Sequence, residues 1–285
     1  MKNLVFAFLM LSLISVAFAQ DGEFHLDKTY QMSKTGIIDL SCSDAKVFIT
    51  GSTRMDAHIK IDRTVTAQGW SSGPGEFSVE VTTEDGSIKI WERQEGSGIT
   101  FGSYNEEYRI QIEAPEGAGI RVRGDDGDYF IKNVNGRIEL SLDDADAELT
   151  GCKGDKFSFR LDDGDLRMDR GQGVLDIEAD DADIEIYKGE FTTINADLDD
   201  GDLIIETSIV DNGSYNLHTE DGLISMKIAK GGGDFNVWHD DGSVITQGDF
   251  KTTYKSEDET RLTLGNGSAR VRIRADDARV KLSAN

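Results

Sequence analysis

Only 2 prolines and 2 cysteines occur in 285 residues. Cys42 and Cys152 are too few for a disulfide-stapled framework. Basic residues are also scarce, with 30 Lys and Arg against 54 Asp and Glu and a formal net charge of −24. Nucleic acids and anionic membranes are bound through Lys and Arg, so the imbalance excludes both as main partners. The 4 histidines, His25, His58, His218 and His239, are scattered. With no cysteine cluster beside them they do not form a zinc site. No nucleophile elbow or phosphate loop is present. One apolar run exists, Leu4 to Val16, preceded by Lys2 and followed by Ala17-Phe18-Ala19. It is short for a bilayer span and fits a cleaved export signal over residues 1–19. No later stretch is apolar enough to span a membrane. The expectation is an exported chain, destined for the periplasm, the cell surface or the medium.

What the sequence has instead is glycine, 31 residues of it, and a recurring acidic hexamer. "LDDGDL" runs from Leu161 to Leu166 and again from Leu198 to Leu203. Taking the second acid as marker, copies fall at Asp44, Asp85, Asp126, Asp144, Asp163, Asp181, Asp200, Asp221, Asp241 and Asp277. From Asp126 to Asp200 the steps are 18, 19, 18 and 19 residues. Such a fixed period marks a solenoid. The steps of 41, 41 and 36 elsewhere read as double steps with a degenerate copy between.

Each period holds two alternating segments. Ile138-Glu139-Leu140-Ser141-Leu142 and Phe157-Ser158-Phe159-Arg160-Leu161 precede the acids, and Asp165-Leu166-Arg167-Met168 and Asp202-Leu203-Ile204-Ile205 follow them. Period-2 alternation is the mark of half-buried strands. A glycine turn, such as Asn135-Gly136, Lys153-Gly154 or Asn212-Gly213, separates one pair from the next. One coil is therefore strand, glycine turn, strand, acidic turn. The predicted fold is all-β: a parallel β-solenoid, β-helix or β-roll in style, with coils of about 19 residues. About a dozen coils at roughly 4.8 Å spacing would span roughly 55–60 Å. Residues 20–124 form N-terminal coils with two long loops, Gln68 to Gly75 and Glu95 to Asn105. Residues 125–285 form the regular acidic repeats of the same continuous domain. In this reading Cys42 and Cys152 lie about five coils apart, too far for a bridge.

The stretch "YRIQIEAPEGAGIRVRGDDGDYFIKNVNGRIELSLDDADAEL", Tyr108 to Leu149, resembles the bacterial candidate-adhesin β-strand-repeat family, similar to the heads of autotransporter adhesins. There, too, a strand ending in proline, here Pro115, leads into repeated Gly-Asp-apolar units. The resemblance extends from about Phe24 to Leu282. It implies a secreted or envelope β-solenoid tied to adhesion, and it brings no catalytic residues. This chain departs from the pattern in its second acid, where a neutral residue is usual.

Stacked coils would place the acids in three columns. Asp125, Asp143, Asp162, Asp180 and Asp199 form one; Asp126, Asp144, Asp163, Asp181 and Asp200 the next; Asp128, Asp146, Asp165, Asp183 and Asp202 the third. Two unit charges at that spacing repel by roughly 0.9 kcal/mol even in bulk water. Two readings compete. In one, the acids cap turns through backbone N–H groups and face water, where their charge discourages aggregation. In the other, adjacent coils offer carboxylates and turn carbonyls to Ca2+. The residue after the acid pair alternates, Gly127, Ala145, Gly164, Ala182, Gly201, so the corner is not expected to need a left-handed residue.

Other candidates are fewer. Trp70, Phe101 and Tyr104 in the two loops are available to stack on sugars. His218 and Trp238 share an outward column and are expected to stack as neighbours. Lys153, Lys156, Arg170, Lys188 and Lys230 gather near the glycine turns, so an acidic edge faces a mildly basic one. A calcium-dependent polysaccharide lyase would need a base beside the acids, for which Arg160 and Arg167 are available, but coils this small leave little room for a cleft. The sequence therefore reads as a non-enzymatic scaffold whose partner is a protein or glycan of the cell envelope. A calcium-binding module is the alternative and a lyase the third possibility.

Overall fold

The computed structural model describes residues 14–18, 22–71, 76–95, 100–240 and 242–284; for residues 14–18, 67–71, 94–95 and 100–104 it describes the backbone alone. All regular structure among them is β, and the 21 strands join in one mostly parallel sheet. No described helix is long and apolar enough to cross a membrane. Of the export-signal segment, only Ile14–Phe18 is a described strand, antiparallel to Glu76–Glu84.

The central strands are long and bend without leaving the sheet. Gly119–Lys132, Ile138–Thr150, Lys156–Met168 and Gly171–Asp200 each run through an acidic corner. Each therefore contributes to two ladders, here called the front ladder (before the acids) and the back ladder (after them). The register confirms the periodic reading. Leu140 pairs with Val122 and Phe159 on the front, and Leu149 pairs with Ile131 and Met168 on the back. Alternate side chains point inward, as Ile138, Leu140 and Leu142 do, and are almost fully buried. Each contributes roughly 1.5–3 kcal/mol by leaving water. Aromatics fill the wider gaps: Phe157 meets Phe191 edge-on at 6.2 Å, and the Tyr215 hydroxyl donates to the Phe191 carbonyl.

The coils do not stack in chain order. Coil 37–52 lies directly on coil 119–132, with Cys42 opposite Gly124 and Val47 opposite Tyr129. The intervening chain extends the sheet outward from that end, largely in antiparallel strands. Asp56–Ser71 pairs antiparallel with both Glu23–Gln31 and Thr100–Pro115, and Glu76–Glu84 pairs with Ser87–Glu95. The other end repeats the arrangement. Coil 269–284 is inserted between coils 214–230 and 233–247, so Arg270 pairs with both Ser214 and Asp234. The excluded segment becomes an antiparallel pair, Phe250–Lys255 with Glu259–Leu264. Glycines make the insertion fit: a Cβ on Gly233 would stand 2.2 Å from the Ala269 carbonyl oxygen.

This topology corrects four expectations. The double steps of 41 and 36 hold antiparallel strands beside strands of the parallel ladders, since Ser87–Glu95 pairs parallel with Ile37–Cys42 and Thr100–Pro115 with Ala45–Ser52, so the parallel stack is shorter than a dozen. The two N-terminal loops are in large part strand, with Trp70 opposite Phe101 and Ala67 opposite Tyr104. Cys42 and Cys152 are free and buried, as expected, but not because five coils separate them. Coil 37–52 rests on coil 119–132; Cys42 sits beside the acidic corner and Cys152 beyond the opposite end of the next back strand. Finally, His218 and Trp238 are not neighbours, because Arg274 stands between them on the inserted strand.

Candidate functional site

The acidic corner comes out as the register demands. Asp144 pairs with Asp126 and Asp163, Asp163 with Asp181, Asp146 with Asp128, and Asp165 with Asp183. Asp125, Asp143, Asp162, Asp180 and Asp199 are exposed, as are Asp126, Asp144, Asp163, Asp181 and Asp200. The third column accepts hydrogen bonds. Asp146 takes the backbone N–H of Asp165 at 2.9 Å, and Asp183 takes that of Asp202 at 2.8 Å. Asp128 instead receives Lys46 at 2.9 Å.

Crowding shows in the protonation of the outer columns. Reduced hydration, and then repulsion from Asp162 and Asp125, holds the Asp143 carboxyl above the usual range. Asp163, Asp180 and Asp200 are raised in the same way by their neighbours. No group of three or more His, Cys, Asp or Glu among the described residues is placed to hold a metal ion. The backbone bonds of the third column run between coils, each carboxylate accepting from the chain 19 residues on. Asp241 lies outside the described residues.

The corner also needs a correction. Gly127, Gly164 and Gly201 take φ of 125°, 107° and 115°, while Ala145 and Ala182 have ordinary φ and point inward. A Cβ on Gly164 would stand 2.4 Å from the Ala145 carbonyl oxygen, and one on Gly201 2.5 Å from that of Ala182. Two corner geometries alternate, each glycine lying over an alanine of the coil before. The glycine corners do require φ that side chains rarely adopt.

On the outward side of the front ladder charges are mixed. Asp39 accepts from Arg123 at 3.0 Å and Glu139 from Arg121 at 2.8 Å, while Arg137 also reaches Glu139. Lys156 pairs with Asp176 at 3.1 Å. The bases that a lyase would need are occupied: Arg160 is paired with Glu178, and Arg167 with Asp165 and Glu185. Beyond Asp176 the row continues in amides, while Asp197 in the adjacent row is taken up by His218. Asn195 donates to Asp176 and Asn216 donates to Asn195, at 2.9 and 3.0 Å.

Farther along stand Arg270, Arg272 and Arg274, exposed on the inserted strand. Among the described residues only Arg274 has an acidic ion-pair partner, Asp276 at 3.2 Å. His218 on one side and Trp238 on the other flank Arg274 in a groove of about 390 Å³. Trp238 is 40% exposed. His218 bonds Asp197 through Nδ1 at 2.6 Å, and its Nε2 is buried without a partner among the described residues. This groove meets a second of about 430 Å³ at Ile177 and Asn195, so the trough continues onto the paired half.

The arginine cluster was missed in the sequence, although "ARVRIRA" (Ala269 to Ala275) carries its signal as arginine at every second position. On the back ladder Phe48 and Phe130 stack at 5.1 Å with Lys46 and Arg109 over their rings. Of the predicted sugar-stacking residues, Trp70, Phe101 and Tyr104 are brought to one backbone ribbon, but their side chains lie outside the described residues. Lys153, Arg170 and Lys188 do gather at the glycine edge, around a groove of about 310 Å³.

Stacked, mostly parallel strands with outward polar ladders, and no helix among the described residues, are the class of protein that these features define. The chain belongs to the Toastrack DUF4097 family, whose profile matches residues 36–283. No curated protein matches it. Solved structures similar to it include a candidate adhesin from Bacteroides fragilis, 12% identical, TM-score 0.45, covering 90% of this chain and 96% of that one. A candidate adhesin from Parabacteroides distasonis is 11% identical at TM-score 0.42, with coverage of 92% and 98%. A candidate lipid-binding protein from the same organism is 12% identical at TM-score 0.33, with coverage of 90% and 96%.

Proposed function

We propose that this protein is an exported, non-enzymatic, adhesin-like parallel β-solenoid that serves as a binding scaffold of the cell envelope. The observation that carries the reading is the outward front ladder. It presents an unbroken row of polar and charged side chains from Asp39 to Arg274, in troughs on the sheet surface. Such a face suits an extended partner that touches many coils weakly. The side chains best placed for acid–base work are engaged: Arg160 and Arg167 in ion pairs, His218 with Asp197. The apolar run at Leu4 to Val16 supports export.

The test is fractionation of cells that make the native protein, followed by binding of the purified chain 20–285 to isolated envelopes. Recovery outside the cytosol and saturable retention on envelopes are expected. A purely cytosolic protein, or one that envelopes do not retain, would sink the proposal.

A further inference from the structure

We infer that the trough around the inserted strand Ala269–Ala275 is a binding site for an acidic polysaccharide, a glycan carrying carboxylates. The inference rests on the binding-scaffold reading and names the ligand class and the residues. In a chain of net charge −24, most cations on the front ladder are neutralised by the coil above or below. Arg270 and Arg272 are exceptions: both are exposed, and neither side chain has an ion-pair partner among the described residues. They lie two residues apart on one strand, so both guanidinium groups face the same way. A planar guanidinium can bind a carboxylate through two parallel N–H donors, which makes unpaired arginine well suited to an anionic sugar.

The neighbouring strands supply what a sugar needs besides charge. Trp238, opposite Arg274, offers an exposed indole for stacking on a pyranose ring. His218, on the other side of Arg274, lines the same groove and is held through Nδ1 by Asp197. Asn195 and Asn216 continue the polar floor toward the paired half. Arg272, Arg274, the Trp238 indole and the Asn195 and Asn216 amides thus line one trough, with Arg270 next along the same strand. A phosphate-bearing lipid surface would use the arginines but would have no need of the tryptophan or the amide row.

Fluorescence anisotropy with labelled oligogalacturonate reads this out, with neutral dextran oligomers and phosphatidylglycerol vesicles as comparison probes. Saturable binding of oligogalacturonate is expected, weakening as salt is added. The double variant Arg270→Gln/Arg272→Gln and the single Trp238→Ala should each weaken it at least tenfold. Arg167→Gln, at a paired arginine of the back ladder, should leave it within twofold. All three variants are at exposed positions, and unchanged circular dichroism and melting would establish that they fold. Equal binding by the wild type and the double variant would overturn the site, as would preference for the vesicles or for dextran. If envelopes retain the wild type and the double variant alike, the scaffold reading stands and this site falls. If envelopes retain neither, both fall.

Discussion

At the acidic corner the parallel register sets Asp126, Asp144, Asp163 and Asp181 one above another, whereas on the front ladder the same register sets Arg121 between Asp39 and Glu139. The geometry is the same and the energetics are opposite. Stacked carboxylates lose hydration and repel, so Asp143, Asp163, Asp180 and Asp200 resist ionisation. On the front, partial burial works against Glu139, but the Arg121 bond and charge outweigh it and hold its carboxyl below the usual range. A strand stack thus magnifies whatever residue recurs. Along the corner the recurring element serves the turn, and charge is the cost; on the front the charges alternate and bind the coils together.

The comparison can be broken most forcefully at the corner backbone. Gly201→Ala places a Cβ against the Ala182 carbonyl at φ 115° and should cost about 1–3 kcal/mol in urea unfolding. Ala182→Gly, one coil away, should cost only about 0.5–1 kcal/mol. Equal losses would mean that the two corner geometries are not distinct. Next comes the front ladder, where Glu139→Gln should cost about 1 kcal/mol or less, an effect that shrinks in high salt.

A smaller change of opposite sign is expected from Asp143→Asn/Asp162→Asn/Asp180→Asn. Thermal melting in low salt at pH 7 should rise, and added salt should erase the gain. The pH dependence follows from the same shifts. Asp143, Asp163, Asp180 and Asp200 are raised, so the folded state takes up protons before the unfolded state does, and stability should grow as pH falls from 7 toward 4. Glu139 and Asp176 are lowered; their contribution is present above the ordinary carboxylate range and is lost as pH falls through their folded values. Melting temperature should therefore peak between about pH 4 and 6, and the triple variant should flatten the rise on the neutral side. The smallest effect expected is none: calcium added after EDTA at fixed ionic strength should leave the wild-type midpoint unmoved. A clear rise with calcium, absent with magnesium, would restore the metal reading of the corner.

Repetition made the central stack readable from the residues alone. A step of 18 or 19 residues with inward Leu, Ile and Phe leaves one register that buries them, and the observed pairs follow it. Stacking order was not readable, because each coil offers its neighbour the same backbone ladder and a similar apolar column. Nothing in Val271 or Ile273 says that Leu217 and not Val237 precedes it; both are its neighbours. The corner acids were found because they recur. The arginine trough was overlooked because it does not recur and is assembled from coils that are out of sequence order. His218, Arg274 and Trp238 meet only after the insertion.

That insertion also has a consequence in time. A chain made from its N-terminus completes segments 214–230 and 233–247 before it has the strands that belong between them. Those two segments share a compatible ladder and, once exposed, could pair with each other. Assembly of this end therefore has either to wait for residues 269–284 or to reopen a premature pairing. Either path makes a late, slow step of the segment that completes the arginine trough. The molecule would then acquire its proposed binding face only when the last coil is in place, after the rest of the stack has formed.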